Sequence, residues 1–202
     1  MPLKVIVVGA GHMGAIHLGK LASFGDVELV GIVDTDSERA CNLAKNYRVP
    51  SFSDYTKVIG AVDGAIVATP TEMHFPIARD FLQSGTHVFI EKPIAANQDE
   101  ARKLIDLAHG KGLVLQIGHL ERFNPAFRSA LPFVTKPVFI EACRASGFTG
   151  RSVDIDVVLD LMIHDLDLVL SLVDDQVKDV RAQGVSFVLD KLDMVSARIE
   201  FE

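Results

Sequence analysis

A chain of 202 residues is long enough for one large domain or one and a half. Its 20 basic and 27 acidic residues leave a formal charge of −7, which argues against nucleic acid or an anionic membrane as the main partner. With 49% hydrophobic and 23% charged residues and a mean hydropathy of +0.27, it reads as an ordinary folded protein with some apolar surface left for a partner.

Short β-branched runs alternate with helical patterns from the start, the signature of βαβ units feeding a parallel sheet with helices on both faces. The pattern predicts a strand at Lys4–Val8, a helix from about Met13 to Phe24, a strand at Val27–Val33 and a helix over Ser37–Tyr47. A hairpin-like piece around Pro50–Ile59 leads to a strand at Gly64–Ala68. A helix over Glu72–Gln83, a strand at His87–Ile90, a helix over Asp99–His109 and a strand at Leu113–Ile117 follow. Asn97 with Glu100 three positions later has the form of a capping box. After Gly118 the grammar changes to that of an α+β unit with an open, mainly antiparallel sheet. A short helix is expected over Phe123–Leu131 and a half-buried strand at Val138–Ala145, followed by a Gly-rich loop over Ser146–Ser152. An amphipathic helix over Val157–Val173 and strands at Val180–Leu189 and Met194–Phe201 complete the pattern. The expected division is residues 1–118 and 119–202, and some 80 residues are few for an independent core. No apolar run approaches the roughly 18 residues of a membrane span, and the opening Met-Pro-Leu-Lys lacks the regions of a signal peptide, so a cytoplasmic protein is expected. Cys41 and Cys143 form no Cys-x-x-Cys pair and suggest neither a disulfide framework nor a zinc site.

Gly9-Ala10-Gly11-His12-Met13-Gly14 follows the first strand and opens the first helix. In that context the three glycines serve different ends. Gly9 makes the tight turn, Gly11 lets backbone approach a pyrophosphate, and Gly14 lets the helix pack on the strand while its first amides face the anion. Asp34, twenty positions past Gly14 at the end of the second strand, is placed to accept the hydroxyls of an adenosine ribose. Its charge opposes a 2′-phosphate, which favours NAD over NADP, although Arg39 a turn later offers a compensating charge.

Ala68-Thr69-Pro70 and Glu91-Lys92-Pro93 follow the third and fourth core strands, at the carboxyl ends where open parallel sheets bind ligands. There Lys92 can donate to a substrate oxygen, whereas elsewhere it would read as a solvated surface lysine. His74, early in the next helix, reads equally as a ligand contact or as a helix residue of the interior. Asp160 and His164 stand four apart in a predicted helix, a spacing that suits a carboxylate orienting an imidazole base. Asp165 and Asp167 lie on other faces and read as solvated or as contacts to neighbouring strands. A metal at His164 is disfavoured because no second His or Cys stands at ligand spacing.

Taken together, Gly9 to Gly14, Ala68-Thr69-Pro70 with His74, Glu91-Lys92-Pro93 and Asp160-Leu161-Met162-Ile163-His164-Asp165 resemble the Gfo/Idh/MocA oxidoreductases. The resemblance implies a Rossmann doubly wound domain followed by a substrate domain whose open sheet also serves homo-oligomerisation. It implies Lys92, Asp160 and His164 as the catalytic set and a cis bond before Pro93. On the same footing, Gly9, Gly11, His12, Met13, Gly14, Asp34, Thr69, Pro70, His74 and Glu91 would line the NAD site. Gly118-His119-Leu120-Glu121-Arg122-Phe123-Asn124-Pro125 resembles the branch that oxidises the 3-hydroxyl of UDP-N-acetylglucosamine-type sugar nucleotides. Lys92 and His164 would then also touch substrate, with Arg122 meeting a diphosphate and Asn124 a sugar amide. Arg122 and Asn124 read otherwise as polar residues of a hinge that cap the next helix. A polyol dehydrogenase, a non-catalytic cofactor sensor and a bare NAD-binding module are the alternatives. Family members run longer than this chain, so the second domain is expected to be incomplete, with exposed strand edges.

Overall fold

Three consecutive residues of the first strand feed two different cores. In the computed structural model, which describes residues 1–147, 155–188 and 190–202, β1 (Leu3–Val8) turns Ile6 and Val8 to one face of the sheet and Val7 to the other. Side chains of a strand alternate between faces, so a run that is apolar throughout needs cover on both. The Val7 face is covered by α1 (His12–Leu21) and α2 (Ser37–Tyr47), through Leu18, Ala40 and Ala44. The opposite face is covered by α3 (His74–Gln83) and α4 (Gln98–Lys111), through Ile77, Ala78, Phe81, Leu82, Leu104 and Ala108.

The sheet has six parallel strands in the order β3-β2-β1-β4-β5-β6. The strands after β1 are β2 (Val27–Val33), β3 (Ser51–Phe52), β4 (Gly64–Val67), β5 (His87–Ile90) and β6 (Leu115–Ile117). The order reverses at β1, which pairs with β2 on one side and β4 on the other. At such a switch point the connections leave in opposite directions and open a crevice at the strands' carboxyl ends. The hairpin expected over Pro50–Ile59 is instead the two-residue β3, parallel to β2, followed by a 3-10 turn at Tyr55–Val58. Asp54 stops the strand there by accepting a hydrogen bond from the Thr56 amide. The expected cap of α4 forms, with Asn97 accepting from the Glu100 amide at 3.0 Å.

Two compact units divide the chain, Met1–Gly118 and His119–Glu202. The second contains a 3-10 turn at Leu120–Phe123, α5 (Pro125–Ala130), a π-helical turn at Val158–Met162 running into α6 (Ile163–Leu172), and the antiparallel pair β7 (Val177–Val185) and β8 (Met194–Phe201). None of its described residues is buried in the sense that Ile6 or Phe81 is. The strand expected at Val138–Ala145 is not formed. Val138 is fully exposed and Phe139 is 80% exposed, and without a partner strand an alternating pattern has no ladder to join. Most of the expected Gly-rich loop, 148–152, and Leu189 at the end of the expected strand lie outside the described residues.

Candidate functional site

The crevice at the switch point is built from the ends of four strands. After β1, Gly9 adopts φ +106°, and a Cβ there would stand 2.3 Å from the Ala68 carbonyl oxygen. A Cβ on Gly14 would lie 1.7 Å from the Gly9 carbonyl oxygen, so only glycine lets α1 sit down on the turn. Gly11 differs, because a Cβ there meets nothing within 4 Å. Protein packing does not require that glycine, and its lack of a side chain keeps the space before the helix amides clear. His12 is exposed and Met13 half-buried at the start of α1.

Asp34 follows β2 and ties the cradle together. One carboxylate oxygen accepts from the Ala10 amide at 2.7 Å, and the other accepts from the Asp36 amide and the Arg39 guanidinium, each at 2.9 Å. Burial pushes its pKa up, but the Arg39 hydrogen bond and the two amides outweigh it and hold the carboxyl below its ordinary value. A depressed folded-state pKa contributes stability that is present above the unfolded value of about 3.9 and lost as pH falls through the folded one. Asp34→Asn is therefore expected to be less stable than the parent at pH 7, with the gap closing in acid. Urea melts across that range check this; a gap independent of pH would refute it.

After β4, the Thr69 hydroxyl oxygen is buried with no hydrogen-bond partner among the described residues, and Pro70 is exposed. After β5 come Glu91, Lys92 and Pro93, with the Lys92–Pro93 bond cis. Lys92 is half-buried. The Glu91 carboxylate does not open to solvent: it is 6% exposed and pairs with His17 Nε2 at 2.6 Å. His17, on α1, carries no motif that would single it out in the sequence. It stands between Ile16 and Leu18 and sets its ring edge-on to Phe89, with centroids 5.1 Å apart; the only signal was a polar residue within an otherwise apolar stretch of helix. His74 is 1% exposed, with Nδ1 2.7 Å from the Pro93 carbonyl oxygen and Nε2 2.9 Å from that of Thr69. Both nitrogens thus meet backbone carbonyls.

In the second unit, Asp160 lies in the π-helical turn and His164 in the first turn of α6, both half-buried. The expected uninterrupted helix over Val157–Val173 therefore opens with one wide turn, which alters the simple four-residue stacking. Asp165 and Asp167, expected to be solvated or to contact neighbouring strands, are clamped by arginines. Arg122 grips Asp167 with two bonds of 2.7 Å, and Arg144 reaches Asp165 at 2.9 Å and Glu121 at 3.6 Å. These hydrogen bonds raise the pKa of each arginine. Asn124 caps α5, accepting from the Ala126 amide at 3.0 Å and donating to Glu121. Arg122 and Asn124 thus each have an internal side-chain partner, Asp167 and Glu121.

The first unit's cradle fits a dinucleotide. It offers open space at Gly11, a carboxylate at the end of β2 and an orphaned buried hydroxyl at Thr69. Residues 3–119 match the GFO_IDH_MocA family, described as an oxidoreductase family with an NAD-binding Rossmann fold. UDP-N-acetylglucosamine 3-dehydrogenase of Acidithiobacillus ferrooxidans is 42% identical over 196 residues, which cover 96% of this chain and 62% of that protein. A solved structure of the Acidithiobacillus ferrooxidans enzyme, GnnA, matches with a TM-score of 0.92 at 40% identity, covering 100% of this chain and 66% of that one. GenD2 from gentamicin A biosynthesis, solved in complex with NAD, matches with a TM-score of 0.86 at 26% identity, covering 99% of this chain and 62% of its own. The chain thus spans somewhat under two thirds of the length of these relatives.

Proposed function

The chain belongs to the GFO_IDH_MocA oxidoreductase family, and from that premise we propose that it serves an NAD-dependent dehydrogenase of a sugar hydroxyl, the 3-hydroxyl of a UDP-N-acetylglucosamine-type sugar nucleotide. The observation that carries the reading is the convergence of Gly9–Gly14, Asp34, Thr69 and Lys92 at the carboxyl ends of β1, β2, β4 and β5. The sugar-nucleotide assignment draws its support from the 42% identical dehydrogenase.

Gly11 and the first amides of α1 would receive the pyrophosphate, and Asp34 the adenosine ribose, while Thr69 and Pro70 would border the nicotinamide. Bound NAD supplies a hydride acceptor for the carbinol carbon. Lys92 would donate to the substrate oxygen as that oxygen becomes a carbonyl. His164, oriented by Asp160, would take the hydroxyl proton at an imidazole nitrogen. We also read 1–118 as the cofactor domain and 119–202 as part of the substrate domain, with the β7–β8 sheet as the face through which copies assemble. That assembly is supported by the exposure of Val180, Val185 and Met194. Among the described residues no helix is long and apolar enough to cross a membrane, and the setting we propose is the cytoplasm.

Titration of NADH, and separately NADPH, into the chain with and without saturating UDP-N-acetylglucosamine tests the reading. The sequence has no Trp, so the emission of the cofactor itself must report. NADH binding that the UDP-sugar tightens is expected. A response to a free inositol and none to the UDP-sugar would move the substrate to polyols, and no binding of either cofactor would overturn the reading. NADH should bind at least tenfold tighter than NADPH, because a 2′-phosphate would face the Asp34 carboxylate. In Asp34→Ala the preference should narrow, since Arg39 loses its 2.9 Å partner and keeps the looser 3.8 Å pair with Asp36; an unchanged ratio would remove Asp34 from the selectivity.

A further inference from the structure

We propose that His74 is held as an imidazolium, donating from both ring nitrogens to the carbonyls of Thr69 and Pro93, and that this strut makes it a positioning residue for Lys92. The second clause rests on the dehydrogenase reading above; the first stands on geometry alone.

A backbone carbonyl oxygen can only accept. A neutral imidazole carries one N–H and one lone pair, so in either tautomer one of the two contacts, at 2.7 or 2.9 Å, would set lone pair against lone pair. Only the imidazolium donates to both, and hydrogen bonds from a charged donor are short and strong. Burial opposes the charge, but a ring that is 1% exposed also has no water to satisfy a mismatched nitrogen. The protonation state is thus fixed by what surrounds the two nitrogens.

The placement gives the strut its purpose. The last rung of the ladder between β4 and β5 runs from the Glu91 amide to the Val67 carbonyl. Beyond it both strands continue into loops that contain a proline, Pro70 and Pro93, and a proline offers no amide to carry the pairing further. His74, at the start of α3, inserts a side chain with two donors where those amides are lacking and spans the two loops. The ring therefore fixes the carbonyl of the residue directly after Lys92 relative to that of Thr69. On the other side of Lys92, Glu91 is fixed by His17. The segment that carries the lysine is thereby held at both of its neighbours, by two histidines from two helices.

Nitrogen-15 NMR of the imidazole rings in the 202-residue chain, with the His74 signals assigned by their loss in His74→Gln, tests the protonation at pH 8, where an ordinary histidine is neutral. Two proton-bearing ring nitrogens are expected for His74; one nitrogen without a proton would overturn the strut. The positioning role is read in the kinetics of His74→Gln, whose amide can donate to one carbonyl but presents an oxygen to the other. A kcat reduced tenfold or more is expected, with KM and the NADH Kd within about threefold of the parent; an unchanged kcat would overturn the positioning role. If the parent chain itself shows no turnover, the role toward Lys92 is overturned for this chain, while the NMR spectrum still decides the strut; the dehydrogenase reading falls only if neither NADH nor NADPH binds. Should His74→Gln not fold, His74→Asn takes its place for the assignment and the kinetics. Failure of both variants to fold would overturn the specific role in favour of a general structural one.

Discussion

Lys92→Met is expected to lower turnover by about 10²- to 10⁴-fold, the range in which loss of one positioned proton or charge donor falls, while NADH affinity stays within a few-fold. Methionine keeps the apolar stem of the side chain and removes the ammonium, so packing around the half-buried position is largely preserved. The specificity of the expectation comes from the surroundings of Lys92. Glu91 before it is pinned by His17, and the carbonyl of Pro93 after it is bound by His74, so the backbone that carries the lysine has little freedom to adapt. Steady-state kinetics beside cofactor titration separate the two quantities. Equal loss of NADH binding and turnover would mean that Lys92 serves the cofactor, and unaltered turnover would remove it from the reaction.

The second large effect concerns the glycine turn. Gly14→Ala puts a methyl carbon 1.7 Å from the Gly9 carbonyl oxygen, a backbone atom that cannot swing away. Either α1 lifts from β1 or the turn opens, and we expect a loss of roughly 3 kcal/mol or more together with NADH binding. Gly11→Ala is the informative partner. Its new methyl meets no protein atom within 4 Å and its φ of −72° suits alanine, so the fold should lose at most about 1 kcal/mol, the cost of a poorer N-cap. NADH binding should nevertheless weaken by an order of magnitude, because the methyl fills the space that a pyrophosphate needs. Denaturant melts and cofactor titration on the two variants distinguish a turn that shapes the fold from a gap that receives a ligand. Equal effects on stability would contradict that division.

Much of the first unit was legible because local signals and burial agree there. Val27–Val33, Ser37–Tyr47 and His87–Ile90 begin and end where the sequence places them. Each is an apolar or amphipathic run bounded by polar or turn-forming residues, such as Asp36, which caps α2 by accepting from the Arg39 amide. Legibility failed where a partner decides the outcome. Val138–Ala145 has the alternation of a strand but pairs with none among the described residues, while Ser51–Phe52 lacks the length of one and forms it because β2 offers an edge. The widened turn before α6 left no mark on the hydrophobic period. In the candidate site, the glycines, Asp34 and Lys92 were readable from their place after strands. The ties of His17 to Glu91, Arg122 to Asp167 and Arg144 to Asp165 span between 21 and 74 positions and were not readable, since side-chain reach across a fold has no sequence period.

The central place of β1 also bears on how the chain reaches its fold. Its partner β2 lies close by in sequence, but Val5 pairs with Gly64 of β4, so on the ribosome one edge of the strand waits for about 60 further residues, a matter of roughly 3 to 12 seconds at ordinary synthesis rates. During that interval an apolar strand, destined to be covered on both faces, has its hydrogen-bonding groups open on one side. The same position that creates the binding crevice in the finished protein thus makes Leu3–Val8 the segment most in need of protection while the protein is being made.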